Sequence, residues 1–253
     1  MNKNYCFCTL ALGERYRDMA GELARDIEKH APGVKFVVLT DKPADFAGYG
    51  NALAFKHSQR GVFACFNDKR FVIEKALSLF NTAIHIDADS KVIAGVPSDL
   101  EFLPGISGCS EGIITHLKKT RPERLPRYEK IAAKIGVSIE SAQWIGESLW
   151  IITKDAGKEN EFIRHWNKIT SYLELHGIND GEGNVMGLAA AKAGWQARSE
   201  EWQKLKGAVT HQDASDIPYK RSFLDKQVRR IRYHWRLNKA RLLALKDFNF
   251  YYR

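Results

Sequence analysis

The chain has 253 residues, 44% of them hydrophobic and 27% charged. That is enough for one large domain with a real core, and the balance argues against a disordered or fibrous chain. The net charge of +9 is uneven: residues 226–253 hold nine Lys or Arg against one acid, Asp247, so the body before them sits near neutrality.

The first residues, "MNKNYCFCTLALGERYR", have a short apolar stretch that runs straight into charge. This is unlike a signal peptide, and no run approaches the roughly 20 apolar residues of a membrane span. The four cysteines, Cys6, Cys8, Cys65 and Cys109, form no CxxC pair, and a reduced, cytoplasmic protein is expected.

"YCFCTLAL" (5–12) reads as a buried strand on which Cys6 and Cys8 share a face. A helix follows over Glu14 to His30, with Tyr16, Met19, Ala20, Leu23, Ala24 and Ile27 in one stripe. "VKFVVLT" (34–40) is a second buried strand, ended by the Asp41-Lys42-Pro43 turn. Strand, helix and strand in so few residues suggest a parallel crossover unit, whose ligands gather at the carboxyl ends of strands.

Residues 68–80 offer another helix, carrying Lys69, Arg70 and Lys75 and leading into the strand "AIHI". "HLKKTRPERLPRYEK" (116–130), basic and with two prolines, reads as a surface excursion. "SAQWIGESLWIITKD" reads as a strand, followed by a helix marked by Phe162, Trp166, Ile169 and Leu173. The glycine-rich loop "HGINDGEG" leads into the short helix "NVMGLAAAKAG", closed by Gly194. One domain over 1–225 with a tail over 226–253 is the economical parse.

The segment "IHIDADSKV" places Asp87 and Asp89 one residue apart where a buried strand breaks. Two carboxylates so placed can face one hard divalent cation, and equally can be the solvated punctuation of a strand end. Their setting, after a basic helix and a crossover unit, resembles the GT-A fold glycosyltransferases, and the segment is similar to the DxD strand of the glycogenin-like and related retaining families. The resemblance spans roughly residues 4–215. It implies an α/β fold with a central, mostly parallel sheet flanked by helices, to which the sequence adds a basic helical tail. It also implies a manganese or magnesium ion on Asp87 and Asp89, a UDP-sugar donor and a glycan or glycolipid acceptor.

By the same resemblance Thr9, Leu10 and Tyr16 meet the uracil ring, Asp41 the base or ribose, and Arg70 and Lys75 the donor, with Ala88 beside it. His211, in "KGAVTHQDAS", takes the place of a third metal ligand, although the glycine and Lys-Pro-Trp-like run of the family do not follow it. Lys220 or Arg221 replaces the lysine that clamps the diphosphate. Glu182, then Asp180, are the candidate carboxylates beneath the sugar, their flanking glycines letting a bulky substrate approach; the same residues could simply form a turn that caps the next helix. "WIGES" departs from the family's Asn-Ala-Gly, with Trp144 and Glu147 candidates for shaping an acceptor pocket.

The tail, with Val228, Ile231, Trp235, Leu242 and Leu245 between basic residues, suits a helix lying on an anionic membrane surface. A helix docked on the domain and a solvated charged end are the other readings. The alternative function is a non-catalytic membrane- or nucleic-acid-binding protein that uses this tail; the near-neutral body, without a nucleic-acid motif, speaks against the latter partner.

Overall fold

A computed structural model describes residues 4–97, 100–214 and 222–253. Its strands, in chain order, are β1 (Tyr5–Ala11), β2 (Lys35–Thr40), β3 (Ala52–Lys56), β4 (Thr82–Ile86), β5 (Ser90–Val92), β6 (Gly105–Gly112), β7 (Gln143–Thr153) and β8 (Val209–His211). Six of them form one sheet in the order β3-β2-β1-β4-β7-β6. The first four in that order pair in parallel, and β7 runs antiparallel to both β4 and β6. A second, two-stranded sheet pairs β5 with β8.

Alternation along the strands divides the core into two layers. Phe7, Phe36, Val38, Ile84 and Ile86 face α1 (Glu14–His30), which buries Ala20, Leu23, Ala24 and Ile27 against them. Cys6, Cys8, Val37 and Ala83 point the other way, toward the layer built by α2 (Lys69–Leu79), α3 (Ile113–Thr120), α4 (Leu125–Ile135), α5 (Lys158–Leu175) and α6 (Glu182–Lys192). Both thiols are buried and in no disulfide.

Residues 116–130 lie at the surface as expected, but as packed helix and not as a loop, with Leu117 and Tyr128 buried. They lie in α3 and α4, whose Ile113, Leu117, Tyr128 and Ile131 are fully buried. The prolines mislead because Pro122 opens a short 3-10 turn and Pro126 lies in the first turn of α4, where no amide donor is missed.

After α7 (Glu200–Lys206) and β8, the chain ends in α8 (Phe223–Ala244) and α9 (Phe248–Tyr252). Ser222 and Asp225 close a capping box that starts α8. Arg236 donates to the Val62 carbonyl and Tyr233 packs on Phe63, fastening α8 across the loop before α2. Lys168 of α5 holds Asp247 at 2.7 Å.

Candidate active site

The central strand β4 stops at Ile86, and the Ser90 amide bonds back to the Asp87 carbonyl, making a tight turn into β5. Ala88 turns into the core, at 4% exposure, so the flanking Asp87 and Asp89 remain at the surface of the turn. Ser90 is paired with His211 in the small sheet, and the Gln212 amide donates to the Asp89 carbonyl. This ladder closes a long sequence separation and brings the imidazole to the carboxylates. His211 Nε2 lies 3.2 Å from Asp89 Oδ1 and 3.8 Å from Asp87 Oδ2. The Ala214 amide fixes the other Asp89 oxygen at 2.9 Å.

Asp87, Asp89 and His211 each offer a ligand atom within 4.8 Å of the others. Two hard carboxylates and one imidazole are a donor set that fits manganese or magnesium.

Lys69, at the start of α2, reaches across to Asp87 Oδ1 at 2.6 Å and to the Glu147 carbonyl at 3.3 Å, and it also hydrogen-bonds Glu182 Oε1. Burial disfavours its charge, but Asp87 and Glu182 outweigh that cost and hold the ammonium above the usual lysine value. Glu182 is 1% exposed, and its burial pushes the carboxyl up to about 8, against the pull of Lys69. Burial likewise raises Asp87 and Glu147. Glu182 Oε2 and Asn184 Oδ1 are buried and have no hydrogen-bond partner among the described residues.

Asp180 faces elsewhere. Its carboxylate accepts from the Tyr128 hydroxyl at 2.8 Å and pairs with Arg124 at 2.6 Å, tying the loop before α6 to α4. The glycines around Glu182 serve packing: a Cβ on Gly181 would meet the Glu147 carboxylate, and one on Gly183 would lie 2.5 Å from the Ile145 carbonyl. Glu147 Oε1 in turn accepts from the Gly183 amide at 2.9 Å, so it positions the start of α6. Trp144 stacks on His116 at 4.2 Å.

Thr9 and Leu10 lie near the carboxyl end of β1, where Thr9 Oγ1 is buried without a partner among the described residues. Tyr16 is partly exposed on α1, and Asp41 accepts from the Gly13 amide and pairs with Arg17 at 2.8 Å. Both line a large cleft of about 2330 Å3 that also takes in Arg70, Phe66 and the cationic side of α8. Arg70 is buried in its wall, donating to the Asn67 carbonyl. Lys75 does not line it and rests over the Phe55 ring at 4.1 Å. Lys220 and Arg221 lie outside the described residues. Sequence reasoning did not single out Lys69 as the partner of Asp87 and Glu182. Its signal was only its place, one residue from Arg70 in a first helical turn that follows a buried loop.

The sheet order, the strand-end aspartates and the antiparallel return through β7 and β6 make this a GT-A glycosyltransferase fold. The chain is similar to the galactosyltransferase LgtC, solved in complex with donor and acceptor sugar analogs, with TM-score 0.54 and 12% identity over 92% of this chain and 95% of that one. It is also similar to the apo structure of the bifunctional glycosyltransferase WbbM, with TM-score 0.52 and 12% identity over 79% of this chain and 39% of that one. No protein-family model and no curated protein sequence matches the chain.

Proposed function

We propose that the protein is a metal-dependent glycosyltransferase that moves a sugar from a nucleotide-diphosphate sugar, a UDP-sugar, to a glycan or glycolipid acceptor with retention of configuration. The observation that carries this reading is the convergence of Asp87, Asp89 and His211 within 4.8 Å at the end of the central strand, beside the cleft lined by Tyr16 and Asp41.

In this reading those three residues hold manganese or magnesium, which supplies Lewis acidity to a leaving diphosphate. Thr9, Leu10, Tyr16 and Asp41 receive the nucleoside, and Arg70 the donor's phosphates or sugar. Lys69 fixes Asp87 and Glu182 in one arrangement and adds positive charge where negative charge accumulates. Glu182, with one oxygen held by Lys69 and the other enclosed and unsatisfied, is the carboxylate that this reading, by the resemblance, assigns to the donor sugar. Retention rests on the resemblance of the 178–187 segment to the acidic loop of retaining enzymes.

Titration calorimetry tests the reading. UDP is expected to bind at least about tenfold more tightly with manganese than with EDTA, the worth of a good charged contact, and Asp89→Ala is expected to remove the difference. A wild-type affinity indifferent to manganese would sink the proposal.

The tail adds a membrane contact to the same function, with the enzyme at the cytoplasmic face of a membrane. Leu224, Ile231, Trp235, Leu242 and Leu245 are all more than half exposed and recur at three-four spacing on α8 and its extension, with cations beside them. No helix among the described residues is long and apolar enough to cross a membrane, whereas an amphipathic basic helix can lie on one. Full-length protein is expected to sediment with equimolar phosphatidylcholine and phosphatidylglycerol vesicles, and the Ile231→Ser, Trp235→Ser double variant to stay mostly in the supernatant. Equal pelleting of both would exclude this face as the anchor.

A further inference from the structure

Helix α8 is divided lengthwise into different surfaces. Arg229, Arg232, Arg236 and Lys239 recur at three-four spacing and line the cleft. The exposed apolar stripe lies about a quarter turn around the helix from them, at 100° per residue. Arg236 is spent on the Val62 carbonyl. Arg229, Arg232 and Lys239 are exposed and make no ion pair or hydrogen bond among the described residues. Burial is the main cost to the charge on Arg236; Asp68 and Glu174 support that charge, while Arg229 and Arg232 oppose it.

No acid of the cleft forms an ion pair with Arg229, Arg232 or Lys239 among the described residues. Glu174 accepts from the Val62 amide at 2.8 Å, and its burial raises the carboxyl to about 7. Glu14, Asp18, Glu22, Asp41 and Glu74 are the other carboxylates of the cleft lining. The loop that α8 packs across adds surface of another kind, for Phe63 and Phe66 line the same space, and Phe66 is 46% exposed. Aromatic faces pack against the C–H faces of sugar rings, and arginine forks recognise phosphates and carboxylates. The cleft reaches the aspartate site through Arg15, which lines it and donates to the carbonyl of Ala214, the residue whose amide holds Asp89.

We infer that this outer cleft is the acceptor subsite and that the acceptor is an anionic saccharide, bearing phosphate or carboxylate groups that Arg229, Arg232 and Lys239 hold while a ring rests on Phe66. The inference rests on the glycosyltransferase reading for the word acceptor, and on the cleft alone for the anionic saccharide. Like charges kept together in an open cleft repel one another until an anion enters; a neutral acceptor would leave that repulsion in place.

The test is calorimetry on the full chain with trehalose 6-phosphate and with trehalose, each run with and without saturating UDP and manganese. The phosphorylated disaccharide is expected to bind in both conditions and the neutral one not to. The triple variant Arg229→Gln, Arg232→Gln, Lys239→Gln is expected to weaken that binding at least about tenfold, the usual scale for losing close charge pairs, with UDP binding unchanged. The charge-keeping pair Arg229→Lys, Arg232→Lys should retain most of it, which separates charge from helix integrity. Equal binding of the two disaccharides, binding of neither, an unaffected triple variant, or displacement of trehalose 6-phosphate by UDP would each overturn the inference. Vesicle sedimentation separates the lipid source of anions: the triple variant is expected to keep most of its pelleting, since the apolar stripe and Lys226, Arg230, Arg241 and Lys246 remain, and a variant that loses pelleting but keeps the sugar phosphate would show that these cations serve the membrane. Loss of UDP binding alone, with sugar-phosphate binding intact, would count against the catalytic reading and leave the subsite standing.

Discussion

Replacing Lys69 by methionine is expected to destabilise the protein by about 3–5 kcal/mol at pH 9 in EDTA, the cost of leaving buried charge unpaired, and by distinctly less at pH 5. Methionine keeps the volume of the stem and removes only the ammonium. That ammonium serves Asp87 at 2.6 Å and Glu182 together, with 11% of its side chain exposed. The sign follows from Glu182, whose carboxyl titrates near 4.5 when unfolded and at about 8 when folded. Between those values the folded state holds a proton that the unfolded state has released, so wild-type stability falls as pH rises through the window. At pH 5 Glu182 is protonated with or without Lys69, and only the loss at Asp87 is felt. Above pH 8 wild type carries an ionised Glu182 against Lys69, whereas the variant must bury that charge alone or keep its proton. Urea unfolding at the two pH values measures the difference. An equal loss at both would mean that the lysine acts by packing and that the pair is not electrostatic.

Much of the fold was legible because its signals are local. The strand, helix, strand opening and the helix ending in Leu79 follow from apolar periodicity, and their observed limits lie within a residue or two of the expected ones. What escaped has no local signal. β6, "GISGCSEG", carries glycine and serine where a strand usually carries branched side chains, and it exists because β7 offers a ladder from Gly105 to Gly112; tertiary pairing overrides propensity there. β3 is an edge strand with no fully buried residue, and β5 is three residues long.

The candidate site divides the same way. Asp87 and Asp89 could be found because both lie on one turn. His211 was placed beside them only through a family resemblance, since the pairing of Ser90 with His211 is a long-range fact that no spacing announces. On α2 the resemblance pointed to Arg70, whereas it is the adjacent Lys69, about 100° around the helix, that touches Asp87 and Glu182. One position decides which basic side chain meets the carboxylates and which lines the cleft, and it is set by how deeply the turn at Phe66–Asp68 is buried: Asp68 is fully enclosed and accepts the amides of Arg60 and Gly61.

Gly187→Ala is expected to cost about 3 kcal/mol or more, at the upper end of what overpacking a core usually costs, and to weaken manganese-dependent UDP binding as well. An added Cβ would lie 1.6 Å from the Gln143 carbonyl oxygen and 2.7 Å from its carbon. Both are backbone atoms of β7, so no side chain can swing aside. The helix itself would have to back away from the strand. Gly183, one turn earlier, is just as tightly held, since a methyl added there would sit 2.5 Å from the Ile145 carbonyl, so the two glycines together set the distance between α6 and β7. Glu182 stands on the first turn of that helix, and Glu147 Oε1 on β7 holds the Gly183 amide beside it. A displacement of α6 therefore pulls Glu182 from Lys69 and, through Lys69, loosens Asp87. Gly207→Ala supplies the contrast, since Gly207 has an ordinary φ of −71° and nothing within 4 Å of the new methyl; it should leave the urea midpoint and UDP binding unchanged. If Gly187→Ala unfolded at the same midpoint as Gly207→Ala, the close seating of α6 on β7 would not be what fixes the carboxylate cluster.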